Sequence, residues 1–94
     1  MSRQVSNNPE AFRYEITVDG AKAGFADYRM RQGAVVFTHT EVDPEYEGQG
    51  IGSALARGAL DDVRARGLKA VPLCPFIQGY IDRHPEYRDL VVQR

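Results

Sequence analysis

Ninety-four residues hold one domain, because an independent core takes on the order of 100 residues, and a second catalytic domain is excluded. A composition of 43% hydrophobic and 27% charged residues is that of a globular chain rather than a disordered one. Twelve Lys and Arg against thirteen Asp and Glu give a formal charge of −1, with no cationic surplus for a phosphate polymer, so nucleic acid is not an expected partner.

Residues 1–10 are mostly polar and read as a flexible lead-in to a single domain over 11–94. They lack the apolar core of a signal peptide, and no run approaches the roughly 18 apolar residues of a membrane helix. Phe12, Tyr14, Ile16 and Val18 alternate with polar residues, which predicts a strand with one apolar face. Asp19-Gly20 predicts a tight hairpin. In the next strand, Ala21 to Arg31, Phe25 and Tyr28 fall on opposite parities, which a bulge near Gly24 reconciles. Gln32-Gly33 is a second turn signal.

The third strand, Ala34 to Val42, is expected to place Val35, Phe37, His39 and Glu41 on one face and Val36, Thr38, Thr40 and Val42 on the other. From Ile51 the period changes. Ile51, Leu55, Ala59 and Val63 recur every fourth residue, widened by Ala56 and Leu60, and predict an amphipathic helix closed by Gly67. Leu68 to Leu73 reads as a strand in which Pro72 cannot donate a ladder hydrogen bond. Pro75 opens a second helix that Pro85 stops, and Tyr87 to Val92 reads as a last short strand. The expected class is α+β, a mostly antiparallel sheet with a long helix after the glycines and a short C-terminal helix.

The chemical signal is Gly48-Gln49-Gly50-Ile51-Gly52-Ser53, between a strand and a helix. Alternating glycines let backbone amides of a helical first turn approach an anion, and phosphate is the natural guest. Glycines also serve simply to make a tight strand-to-helix turn. A P-loop would need Lys after its last glycine, and a dinucleotide fingerprint would follow the first strand of a parallel sheet; neither pattern is present.

The turn resembles the R/Q-x-x-G-x-G/A motif of the Gcn5-related N-acetyltransferases, with Glu47 standing at the Arg/Gln position. The segments His39 to Val42, Gly48 to Leu55, Pro72 to Pro75 and His84 to Tyr87, in this order, resemble the small single-domain YjdJ-type branch. The resemblance implies an acetyl-CoA or CoA ligand and an N-acetyltransferase activity toward an unidentified amine, with a protein amine among the candidates. It places the diphosphate on Gly48, Gln49, Gly50, Ile51, Gly52 and Ser53, and pantetheine between splayed strands, against Glu41 and Val42. Cys74, Pro75, Phe76 and Tyr80 follow on the other wall, and Arg83 or Arg88 reaches the 3′-phosphate.

Acyl transfer needs a nucleophile, a base and a proton for the leaving thiolate. Tyr80 stands where the family places a tyrosine that donates to the CoA sulfur, although a packed aromatic aligned with Phe76 and His84 is an equal reading. Cys74 precedes a helix N-terminus, which favours a thiolate, and is a candidate acetyl carrier; free Cys is equally a small buried hydrophobe. His39 and Glu41, about 7 Å apart along a strand, are candidate proton relays. His39, Cys74 and His84 lack metal-ligand spacing, so no metal is expected. Direct transfer and a route through acetyl-Cys74 both remain open. A two-residue turn replaces the helices that wall the acceptor site in longer family members, which leaves a noncatalytic CoA or acyl-CoA binding module as the alternative. Cys74 is the single cysteine, so no intrachain disulfide can form, and a reducing cytoplasm is the expected compartment. A soluble monomer or weak homodimer, with no membrane partner, completes the expectation.

Overall fold

The computed structural model describes residues 2–92. Strands β1 (Arg3–Asn8), β2 (Arg13–Val18), β3 (Ala21–Arg31) and β4 (Ala34–Val42) are followed by a 3₁₀ helix (Pro44–Tyr46) and α1 (Ile51–Ala65). Then come β5 (Lys69–Pro72), α2 (Pro75–Arg83) and a second 3₁₀ helix (Pro85–Leu90). The strands lie in chain order in one sheet, antiparallel except for the parallel pair β4 and β5. A parallel pair needs a crossover, which α1 supplies. The α+β class read from the sequence is the class observed.

The β2–β3 and β3–β4 hairpins have the backbone that their residues dictate. Asp19 and Gly20 have φ of 50° and 85°, and Gln32 and Gly33 have 46° and 80°, the successive left-handed pair of a type I′ turn. Ile51, Leu55, Ala56, Ala59, Leu60 and Val63 of α1 are buried against the sheet, facing Tyr14, Ile16 and Val18 of β2. The four larger of these side chains on α1 each contribute roughly 1.5–3 kcal/mol on burial, which makes this stripe the main fastening of the fold. Leu68 N donates to Val63 O at 3.0 Å across Gly67, closing the helix.

Residues 3–8 are not a loose lead-in but edge strand β1, in register with β2 from Arg3↔Val18 to Asn8↔Arg13. Its polar residues carry no alternation, and its strand state comes from pairing and from Val5, which packs on α1 where Gly58 leaves room. A Cβ at position 58 would sit 2.6 Å from Val5 Cβ. Phe12 does not join Tyr14 on the core face; it lies in the turn before β2 at φ 54° and is exposed. Residues 87–92 form no strand beyond one bridge, Ala70↔Val91, because the chain from Pro85 winds into a 3₁₀ helix that buries Tyr87 and Leu90.

Two bulges set which side chains face where. Ile16 pairs with Gly24 and Thr17 with Lys22, so Ala23 is the extra residue, beside the glycine where a bulge was expected. Asp27 pairs with His39 and Tyr28 with Phe37, leaving Thr38 unopposed. This second bulge shifts the parity of β4. Phe37 and Thr40 now share the α1 side, while His39 and Glu41 move to the opposite face, contrary to simple alternation from Val35.

Candidate functional site

The glycine turn is held from both sides. Asp43 caps the 3₁₀ helix through Oδ1, which accepts from Glu45 N at 3.0 Å, and Gln49 N donates to Tyr46 O at 3.3 Å. Arg3 reaches over from β1, donating from Nη2 to Gln49 O at 2.7 Å. Gly48 and Gly50 have φ of 79° and 73°, a conformation open to glycine at no steric cost. Gly50 is the N-cap of α1, no side chain caps the helix, and the first turn holds no acidic residue. The first amides of a helix have no intrahelical acceptor, so Ile51, Gly52 and Ser53 present donors and the positive end of the helix dipole. They border a cavity of about 250 Å³ that Val42, Tyr46, Glu47 and Phe76 also line.

Beside that cavity the sheet splits. The β4–β5 ladder ends at Phe37↔Pro72, where Phe37 O accepts from both Leu73 N and Cys74 N at 3.0 Å. Strand β4 runs on to Val42, and among the described residues its β5-side edge is unpaired from Thr38 onward. Pro72 is the last residue of the ladder, as its missing N–H requires. Cys74 caps α2 and lies 3% exposed beside the split, its Sγ donating to Thr40 Oγ1 at 3.2 Å. Pro75 occupies the first turn of α2.

The remaining candidates sit apart from this pair of features. His39 Nε2 and Glu41 Oε2 are 3.4 Å apart, both well exposed, on the sheet face away from α1. The ring of Tyr80 stacks on His84 with centroids 4.1 Å apart and borders a broader cavity of about 590 Å³ along α1. Burial raises the Tyr80 hydroxyl above its ordinary value. This cavity shares Gly50 and Ser53 with the first, and its basic residues are Arg3, Arg57 and His84; Arg83 does not line it. Sequence reasoning missed Arg3, which lay in a polar segment without a motif.

A split parallel pair beside an uncapped glycine turn defines an α+β fold of the Gcn5-like acetyltransferase class. A solved Staphylococcus aureus GCN5-like putative N-acetyltransferase superimposes with a TM-score of 0.72 over 97% of this chain and 89% of its own, at 20% identity, a likeness of fold. The chain belongs to the family itself: residues 13–90 match the GCN5-related N-acetyl-transferase family model. The Escherichia coli ribosomal-protein-S18-alanine N-acetyltransferase aligns with a TM-score of 0.58 and 27% identity over 67% of this chain and 41% of that one. Protein NATD1 of Gallus gallus is 47% identical over 47 residues, 50% of this chain and 43% of its own length, so the matched segment spans less than half of that relative. Protein NATD1 of Danio rerio is 29% identical over 93 residues, covering 95% of this chain and 84% of its own. No helix among the described residues is long and apolar enough to cross a membrane.

Proposed function

We propose that the protein is an N-acetyltransferase that uses acetyl-CoA as donor and an amine on a protein or another large molecule as acceptor. The uncapped head of α1, with no acidic residue in its first turn and opening directly onto the free edge of β4, carries this reading. The amides of Ile51, Gly52 and Ser53 hold the diphosphate, with Gly48 and Gly50 keeping Cβ atoms out of its way. Backbone groups of Glu41 and Val42 serve the pantetheine amides as an added strand would. Arg3 and Arg57 meet the 3′-phosphate, and the Tyr80–His84 stack lies at that nucleotide end.

Acetyl-CoA supplies an activated thioester. Cys74, beside the split, attacks the acyl carbonyl through Sγ; the bond from the acyl carbon to the CoA sulfur breaks, and the thiol proton passes to the departing sulfur. An amine then attacks acetyl-Cys74; the bond from the acyl carbon to Sγ breaks, and the amine proton passes to the departing sulfur, restoring the thiol. In the direct route the same amine attacks the thioester, and Cys74 with Thr40 only shapes the split.

Noncatalytic acyl-CoA binding is the second reading, favoured by the missing acceptor wall: β1 and β2 are joined by a turn through residues 9–12, and β2 and β3 by Asp19-Gly20. A melting-temperature titration with CoA and acetyl-CoA, followed by intact-mass measurement of the same samples, tests the proposal. A rise in melting temperature is expected, and an acetyl adduct absent from Cys74→Ser identifies the covalent route. Release of free CoA thiol on adding amines separates transfer from mere binding, and no thermal shift with either compound overturns both readings.

A further inference from the structure

The sheet face that α1 leaves open carries an apolar groove. Phe12 and Leu73, 55% and 63% exposed, stand over Val36, and Val92 continues the row. Two cavities of about 470 and 490 Å³ meet there and share Arg31, Val36 and Leu73. Phe12 holds a left-handed backbone, which is unfavourable for an aromatic residue, while its ring stands in solvent and adds nothing to the core. Its carbonyl is tied down by Tyr28 N at 2.9 Å.

The charge on this groove has one sign. Arg29 and Arg31 are the ionisable side chains that line it, and neither pairs with a carboxylate among the described residues. Elsewhere on the sheet Arg13 is matched to Asp27 at 3.1 Å and Lys22 to Glu15 at 3.8 Å. In a chain with thirteen carboxylates and twelve Lys and Arg, an all-cationic apolar groove stands apart from the average. Opposite Val36 and Ala34, Arg29 and Arg31 project two residues apart on β3, about 7 Å along the strand. Carboxylates two residues apart in another extended chain have the same spacing.

A second copy of the protein is disfavoured as the occupant, since a two-fold contact would set these arginines against themselves. An anionic bilayer gains only about 1 kcal/mol from each basic side chain near its surface, and a concave groove does not penetrate it. We propose that the groove docks an extended segment of a partner protein, with apolar side chains entering the two cavities and carboxylates meeting Arg29 and Arg31. Leu73 is the chain neighbour of Cys74, so the docked segment runs beside the split in the sheet.

The test is fluorescence anisotropy without any acyl-CoA, so that its result is independent of the donor site. The probes are two short capped, fluorescein-labelled peptides, one alternating Leu with Glu and the other Leu with Lys. The Leu/Glu peptide is expected to bind and the Leu/Lys peptide not. The double variant Arg29→Glu/Arg31→Glu should lose the first by at least about tenfold and gain the second, and Leu73→Ser should weaken the first. All three positions are exposed, and melting curves confirm that the variants fold. Failure of the Leu/Glu peptide to bind, equal binding of both peptides, or indifference to the double variant overturns the proposal. So does a wild-type dimer that Leu73→Ser splits, or adsorption to phosphatidylserine vesicles with no peptide binding.

Discussion

A Cβ built on Gly52 would lie 2.6 Å from Cζ of Phe76, so the first turn of α1 and the first turn of α2 meet through a bare backbone and an aromatic ring. The ring is 37% exposed and can swing outward. Gly52→Ala therefore displaces Phe76 rather than breaking the core. Replacing a helical glycine by Ala gains about 0.5–1 kcal/mol, which offsets the lost contact, so the melting temperature should change by only a few degrees. CoA affinity measured by calorimetry should fall several-fold, because the ring and the first-turn amides border one cavity. A collapse in stability with affinity retained would contradict this account.

Glu47 is an exposed carboxylate in that same cavity, at the position where the family motif has Arg or Gln. A like charge near a diphosphate costs about 1 kcal/mol at high effective dielectric. Glu47→Gln should tighten CoA binding by roughly fivefold at low salt, with the gain shrinking as ionic strength rises. Weaker or unchanged binding in calorimetry would mean that Glu47 does not face the phosphates.

Arg3 joins the edge strand to the glycine turn through its 2.7 Å bond to Gln49 O. Arg3→Gln removes both the tie and a cation of the adjoining cavity. Affinity for CoA should drop about tenfold, with a much smaller loss for dephospho-CoA if Arg3 serves the 3′-phosphate. Because Arg3 is exposed, the melting temperature of the ligand-free protein should move little.

Tyr14 and Tyr87 link the helix to its neighbours, donating to Asp62 Oδ2 at 2.7 Å and Asp61 Oδ1 at 2.6 Å. Burial first, and then these carboxylates, push both hydroxyls far above the ordinary tyrosine range. Their neutral forms are the ones the fold stabilises. An unfolded tyrosine titrates near about 10, so this contribution is intact below that pH and is lost as pH rises toward the folded values. Melting temperatures measured between about pH 8 and 11 should fall steeply above about 10 in the wild type. Tyr87→Phe should start lower, by about 1–2 kcal/mol, and fall less steeply; identical slopes would exclude Tyr87 as a contributor.

How far these features were legible follows from how local their causes are. The alternation of Tyr14, Ile16 and Val18, the Asp19-Gly20 turn, the four-residue stripe of α1 and the prolines bounding α2 each act within one element. The glycine turn is of the same kind, since its φ angles need only the absent Cβ. Tyr80 was legible as a packed aromatic, and its place beside His84 and Arg57 rather than at the split depends on how α2 rests on α1.

Chain order and residue type by themselves determined the α+β class, the crossover helix and the amide-lined turn, because periodicity and glycine conformation are properties of short segments. Only the tertiary structure decided that residues 3–8 form a strand, since its hydrogen bonds come from β2 and its one apolar anchor from α1. The extra residue at Thr38, which sends His39 and Glu41 to one face and Thr40 toward Cys74, is likewise a matter of register between strands. Arg3 and Gln49 meet across 46 positions of chain for the same reason: pairing partners, not neighbours, set where an edge strand points its side chains.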